Sequence, residues 1–237
     1  PSLETTTFTL TSTYDALGRV VTSTTPDGSV TRYTYNDAAL LETVKVAVHG
    51  RSTDKDFVDS IDYDEKGRRT LIVYGNGTRT AYTYDPLTFR LVRLSTTRDS
   101  DGQVLQDLRY TYDAVGNIVE VSDGAQQTEY FANAVVSPTK KFEYDALYRL
   151  VNAKGRQRRD WTSLPGHGDP GLGSIPDPTW DVSKTPSGAM AMYERRYAYD
   201  GVGNITEMRQ VGSWTRTYQY DAGNNRLIQT VNGSGTS

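Results

Sequence analysis

A chain of 237 residues without cysteine has no disulfides, and a net charge of −3 from 26 basic and 29 acidic residues excludes the basic field that gathers nucleic acid or anionic membrane. At 36% hydrophobic residues and a mean hydropathy of −0.61 it is too polar for a thick dry core, while 17 Tyr against 5 Phe fit a sheet with wet faces. No apolar run approaches the roughly 20 residues of a membrane-spanning helix, and Pro1 to Leu10 has neither the basic start nor the apolar centre of a signal peptide.

The first element in chain order is Thr-rich, Pro1 to Thr13, expected as the first strand of a sheet. It runs into Tyr14-Asp15-Ala16-Leu17-Gly18-Arg19, and versions of that stretch return along the chain. Tyr-Asp recurs at Tyr63-Asp64, Tyr84-Asp85, Tyr112-Asp113, Tyr144-Asp145, Tyr199-Asp200 and Tyr220-Asp221, with Tyr35-Asn36 as a variant, in steps of 21, 28, 21, 28, 32, 55 and 21 residues. A unit of 21 residues, twice lengthened by seven, marks a repeat architecture. In Asp15-Ala16-Leu17-Gly18 the Asp can accept from backbone N–H groups just ahead of it while Gly takes a left-handed conformation, a type I turn closed by a Gly bulge. Gly67, Gly116 and Gly203 stand in the same place after Asp64, Asp113 and Asp200. Phe89, Tyr148 and Asn225 replace the Gly elsewhere, so those turns are expected to be built differently.

Each turn is followed by five to seven strand-like residues, a second turn and a strand ending in the next Tyr-Asp. Val20 to Thr25, Pro26-Asp27-Gly28 and Ser29 to Tyr35 form one such unit; Thr70 to Tyr74, Gly75-Asn76-Gly77 and Thr78 to Tyr84 form another. The expected fold is all-β: tandem β-hairpins forming one continuous, twisted and curved antiparallel sheet. Tyr33 and Tyr35, Tyr82 and Tyr84, Tyr110 and Tyr112, Tyr197 and Tyr199, and Tyr218 and Tyr220 lie two apart, so each pair shares one face and together they predict a tyrosine ladder. The adjacent apolar pairs Val20-Val21, Leu91-Val92, Ile118-Val119, Leu150-Val151 and Leu227-Ile228 break simple alternation. Either a bulge follows the turn or both faces are partly covered.

Val44 to Asp59 reads as a lengthened hairpin with a polar tip at His49 to Asp56, and Asp99-Ser100-Asp101-Gly102 as a second tip. In Asp123 to Pro138 the unit is irregular. There Tyr130-Phe131 is expected to keep the ladder, with a break at Ser137-Pro138 before a strand at Lys140 to Tyr144. Leu164 to Ser187 holds Pro165, Pro170, Pro176, Pro178 and Pro186, which rule out a helix or inner strand. Flanked by Trp161 and containing Trp180, it reads either as a loop packed across the sheet or as a partner-docking segment. The chain is thus expected to be a single array over residues 1–237, with this Pro/Gly-rich loop at about 164–187.

The repeated Tyr-Asp-x-x-Gly-Arg/Asn, with a later Asp-Gly and Tyr-x-Tyr-Asp, resembles the Rhs or YD-repeat family. Phe142-Glu143-Tyr144-Asp145-Ala146-Leu147-Tyr148-Arg149-Leu150, Gly155-Arg156, Tyr197-Ala198-Tyr199-Asp200-Gly201-Val202-Gly203-Asn204-Ile205, Trp214-Thr215-Arg216 and Asn225-Arg226-Leu227 resemble the branch of shell-forming B and C components of bacterial insecticidal toxin complexes, with animal teneurins more distant. The resemblance implies a strand ribbon that spirals into a hollow shell and sequesters a cytotoxic polypeptide before delivery. It also implies virulence proteins acting outside the cell, secreted or at a cell surface. The sequence reads as beginning and ending within the array, so an arc is expected instead of a closed chamber. Asp169-Pro170-Gly171 matches the family's Asp-Pro-x-Gly cleavage motif superficially, without its surrounding context.

Chemistry is weakly signalled. His49 and His167 are lone loop histidines with no Cys nearby, unlike metal ligands, and no Gly-x-Ser-x-Gly elbow occurs. The repeated Asp residues are explained by the turn without a glycosidase carboxylate pair, and Asp99, Asp101 and Asp107 lack calcium-loop spacing. Arg156, Arg158, Arg159, Arg195 and Arg196 read as solvated faces. No catalytic, cofactor or metal site is expected. The expected partners are the remaining repeats of a shell, an enclosed toxin polypeptide and, through raw sheet edges, other copies. The alternative is a carbohydrate or cell-surface binding module that stacks sugars on Tyr and Trp rings, tested at Tyr82 and Tyr218.

Overall fold

Strands alternate with tight turns throughout the computed structural model, which describes residues 6–51, 53–131, 134–158 and 190–234. No helix occurs among the described residues, and none is long and apolar enough to cross a membrane. The chain forms two compact units, Pro1–Asp107 and Leu108–Ser237.

The first unit contains β1 (Thr11–Tyr14), β2 (Val20–Thr24), β3 (Val30–Tyr35), β4 (Leu41–Ala47), β5 (Lys55–Val58), β6 (Ser60–Tyr63), β7 (Arg69–Tyr74), β8 (Thr78–Tyr84), β9 (Leu91–Arg98) and the start of β10 (Val104–Tyr112). β1 to β5 pair in sequence order as a five-stranded sheet. The first strand is shorter than its Thr-rich sequence suggests: residues 6–10 have no regular structure, and residues 1–5 lie outside the described residues. Lys55 to Tyr63 is one run interrupted at Asp59. Its first half pairs with β4 and its second with β7. The far end of β7 also reaches back to β5, because Asp59 N–H donates to the Val73 carbonyl (2.8 Å) and Gly75 N–H to the Phe57 carbonyl (3.3 Å). A Cβ on Gly75 would lie 2.0 Å from the Asp56 carbonyl oxygen, so the approach of the two backbones requires glycine.

The second unit continues β10 and adds β11 (Ile118–Asp123), β12 (Glu129–Phe131), β13 (Ala134–Val136), β14 (Thr139–Tyr144), β15 (Leu150–Arg158), β16 (Met190–Tyr199), β17 (Ile205–Gln210), β18 (Trp214–Tyr220) and β19 (Leu227–Ser234). In this unit the backbone ladder runs in chain order from the second half of β10 through β11 and β14 to β19, omitting β12 and β13. β11 pairs directly with β14. The expectation that Tyr130-Phe131 keeps the ladder is therefore corrected: β12 and β13 pair only with each other. Arg156 of β15 holds this hairpin from the ladder, donating to the Gln127 carbonyl (2.9 Å) and to Gln126 Oε1 (3.0 Å). The Pro/Gly-rich loop expected at about 164–187 lies outside the described residues, as does His167.

The apolar core is thin. Ile61, Ile72, Val136 and Ala153 are the buried hydrophobic residues among those described, alongside buried Thr80, Asp107, Gln210 and Arg216. Ile61, Ile72 and Thr80 occupy one cross-strand row on the face that carries Tyr82 and Tyr84, and Thr80 shares a hydroxyl hydrogen bond of 2.8 Å with Thr96. The opposite face is wetter: Arg79, Ala81 and Thr83 are exposed, whereas Tyr82 and Tyr84 are half-buried. Burial raises the Tyr82 hydroxyl pKa, with Tyr74 adding to the effect, and likewise raises that of Tyr197, beside Tyr193 and Tyr218. The tyrosine ladder thus supplies much of the cover that aliphatic side chains provide in other sheets.

Candidate functional site

What recurs in this molecule is the turn after each Tyr, and its geometry follows from the Asp. Asp15 Oδ1 accepts from the Leu17 and Arg19 N–H groups (both 2.9 Å), and Asp15 Oδ2 accepts from Arg19 Nε (2.6 Å). Asp64 does the same with Lys66 and Arg68, and Asp145 with Leu147 and Arg149. At Asp113 and Asp200 the side-chain donor is the Nδ2 group of Asn117 or Asn204, both at 2.8 Å. Asn36 keeps the two backbone bonds without the charge, to Ala38 and Leu40. These bonds favour the ionised carboxylate. The Arg19 N–H holds the pKa of Asp15 below its ordinary value, the Arg68 guanidinium does so for Asp64 and the Arg149 N–H for Asp145.

The last turn residue is left-handed in every form. Gly18, Gly67, Gly116 and Gly203 have φ of 77°, 73°, 110° and 99°. The substitutes share that left-handed conformation, with φ of 60° at Phe89, 62° at Tyr148 and 57° at Asn225, and of the three only Tyr148 departs from the expectation of a differently built turn. Tyr148 sits in the standard loop, its N–H donating to the Asp145 carbonyl. The turns ending in Phe89 and Asn225 are one residue longer, closing from Asp85 to Arg90 and from Asp221 to Arg226. Ala39, with φ of 62°, fills the position in the Asn36 copy and was not singled out from sequence. Asp85 and Asp221 keep a reduced clamp, to Leu87 and Thr88 and to Gly223.

A bulge follows every one of these turns. Tyr14 pairs with Val20 and Thr13 with Thr22, leaving Val21 unopposed, and the same register shift occurs at Tyr35, Tyr63, Tyr84, Tyr112, Tyr144, Tyr199 and Tyr220. This resolves the adjacent apolar pairs: the second member is the extra residue of a bulge.

The Tyr of one copy then locks onto the copy before it. The hydroxyls of Tyr35, Tyr63, Tyr84, Tyr144 and Tyr199 donate to the carbonyls of Val20, Leu41, Arg69, Ile118 and Leu150, at 2.8, 2.6, 3.0, 2.9 and 2.8 Å. Each acceptor is the first residue after the preceding turn. Where that turn ends in Arg, the guanidinium lies over the same Tyr ring: Arg19 over Tyr35 at 4.4 Å, Arg68 over Tyr84 at 4.3 Å and Arg149 over Tyr199 at 4.7 Å from Cζ to ring centroid. One Arg thus bonds its own Asp and covers the next Tyr, joining successive units. The i+4 spacing of Asp and Arg was readable in the sequence; the stacking partner was not.

Residues that suggested chemistry are otherwise engaged. The Ser29 hydroxyl donates to Asp27 (2.8 Å) and accepts from the His49 backbone N–H (3.0 Å), which ties the turn between β2 and β3 to the turn that follows β4. Hydrogen bonds from Thr25 and Ser29 lower the pKa of Asp27 to about 2. Asp99, Asp101 and Asp107 pair with Arg79, Arg98 and Arg93 at 2.6, 2.7 and 2.5 Å, and no cluster of three metal-ligating side chains occurs among the described residues. Arg195 departs from a solvated role: it is half-buried, donates to Gln210 Oε1 (3.2 Å) and lies near the Tyr193 and Trp214 rings.

Compared with known proteins, the sequence matches the RHS Repeat family model over residues 14–46 and 199–237. Toxin subunit YenC1 of Yersinia entomophaga is 32% identical over 210 residues, 87% of this chain. The chain belongs to the RHS-repeat family. It spans 20% of the length of YenC1. Among solved structures, the TcdB2-TccC3 crystal structure superposes with a TM-score of 0.70 and 31% identity, over 93% of this chain and 10% of that one. The Photorhabdus luminescens Tc holotoxin pore gives 0.68 and 30%, with the same coverage. The Asp clamp, the bulge and the Tyr lock are therefore how this RHS repeat is built.

Proposed function

We propose that the chain is a wall segment of a toxin-encapsulating shell, which sequesters a cytotoxic polypeptide before delivery. The observation that carries this reading is the Tyr lock: hairpins too thin to enclose a core are joined edge to edge by a device repeated through both units, in a chain similar to Tc toxin subunits. The wall acts by area and by excluding solvent and protease, without turnover, and its two units serve as one array. On this reading Tyr14, Asp15, Gly18, Tyr63, Asp64, Gly67, Tyr84, Asp85, Tyr112, Asp113, Gly116, Tyr144, Asp145, Tyr199, Asp200, Gly203, Tyr220 and Asp221 are structural. The partners are further repeats and the enclosed polypeptide, and the assembly works outside the producing cell. Sugar stacking is disfavoured because three ring faces are taken by Arg and five hydroxyls by backbone carbonyls. In the toxin assembly that carries this chain, excising Tyr63 to Asp113 should expose the cargo to added protease. Cargo that stays protected after the excision overturns the reading.

A further inference from the structure

The Asp clamp uses one residue of each turn for its backbone alone and leaves that residue's side chain without a task. The residue two after the Asp gives its N–H to the carboxylate: Leu17, Leu87, Val115, Leu147 and Val202 do so at 2.9, 2.9, 3.1, 2.9 and 3.0 Å. Ala38, Lys66 and Gly223 make the same bond in the other copies, at 3.1, 2.9 and 2.8 Å, so the turn requires no particular side chain there. Turns ordinarily favour Gly, Pro, Asn, Asp or Ser. Here most copies carry Leu or Val, and Leu17, Leu87, Val115, Leu147 and Val202 are exposed at 73%, 85%, 56%, 67% and 70%.

In the second unit these tips form a row. The turns that begin at Asp113, Asp145 and Asp200 lie at the same end of successive hairpins, β10 with β11, β14 with β15 and β16 with β17. Val115, Leu147 and Val202 therefore recur every two strands, about 10 Å apart. Tyr148, 60% exposed, widens the middle of the row, and Ala114, Ala146 and Gly201 beside the tips add no charge. By contrast, turns at the other strand ends of the first unit are built on exposed Asp27, Asn76 and Asp101. Single exposed apolar residues are ordinary on a protein surface; recurrence at the period of the fold is not.

Area and pitch select the occupant. Four side chains fall far short of the roughly 20–30 residues a side that a stable complex of separate molecules buries, so the row would not hold a free partner. It can hold one kept beside it by the assembly, through effective concentration. An extended cargo chain presents same-face side chains about every 6.8 Å and runs out of step with the row, whereas RHS hairpins repeat at the row's own pitch. We infer, on the wall reading, that the Tyr-Asp turn tips are a seam: Val115, Leu147 and Val202 pack between the turns of a neighbouring stretch of RHS repeats in the same assembly. The clamp fixes each tip before contact, which lowers the entropy lost on packing.

Photocross-linking in the toxin assembly that carries this chain tests the seam. With p-benzoylphenylalanine in place of Leu147 or of Val202, both probes should cross-link to turn peptides of other RHS repeats, at sites one repeat apart. The same probe at exposed Ala198, on a strand and away from the tips, should reach none of these peptides. As a second measure, Leu147→Ser with Val202→Ser keeps both backbone clamps and should lower the melting midpoint of the assembly, while Ala198→Ser leaves it unchanged. Cross-links confined to the enclosed polypeptide or to a second assembly, no cross-link at either tip, or an unmoved midpoint in the double variant overturns the seam. Turn-to-turn cross-links beside cargo that stays protected after the Tyr63 to Asp113 excision would leave the seam standing and remove the wall reading; exposed cargo without such cross-links would do the reverse.

Discussion

The turn margin and the passage at Asp59 solve the same problem, joining one hairpin to the next, by opposite means. At the margin the join is made by side chains: an Asp or Asn clamps the turn, an Arg, Asn or Leu closes it, and a Tyr reaches back to a carbonyl. Because the bonds go to backbone groups, residue identity can vary while geometry holds, and turns one residue longer still end left-handed. At the passage the join is made by backbone against backbone, with Gly75 against Asp56. There a single missing Cβ decides the geometry. A repeat made of partly redundant bonds tolerates drift; a close approach does not.

The sharpest way to break this contrast is Gly75→Ala. With 2.0 Å between the new Cβ and the Asp56 carbonyl oxygen, the backbone of β5 or β7 must shift, at a cost of about 3 kcal/mol. Urea denaturation should show it as a lower midpoint. A neutral result would mean that the passage has slack and that the contrast is false. Tyr199→Phe is the matched test at the margin. It removes a single hydroxyl bond to the Leu150 carbonyl while the ring stays under Arg149, so the expected loss is about 1 kcal/mol. A loss as large as that of Gly75→Ala would show that the lock is not shared among redundant bonds.

The difference also explains what could be read in advance. Asp15, Gly18 and their counterparts encode turns within five residues, so the hairpins and the tyrosine face were legible from local chemistry alone. The Arg19 to Tyr35 and Arg149 to Tyr199 contacts span 16 and 50 residues and follow only once the pairing of strands is known. Gly75 was legible as a turn residue in Gly75-Asn76-Gly77, but nothing nearby signals Asp56 against it. Tyr130-Phe131 misled because it matches the pattern of the ladder, while the bonds that hold its hairpin off the ladder come from Arg156, far along the chain.

The smallest expected effect separates strain from compensation at the left-handed position. Tyr148 occupies the standard turn at φ of 62° with 60% of its surface exposed. Gly there removes the crowding of Cβ against the backbone but frees the unfolded chain, and the balance favours the folded state by roughly 0.5 kcal/mol. Phe89 has almost the same φ, 60°, yet Lys66 lies 3.9 Å from its ring centroid and Arg68 5.4 Å. Phe89→Gly therefore gives up two cation–π contacts, each about 0.5 kcal/mol at an exposed site, and should be neutral or slightly destabilising. Paired thermal melts of the two variants decide it. Opposite signs mean that side chains compensate the strained turns one by one; stabilisation of both by the same amount would mean that the stacking on Phe89 contributes nothing.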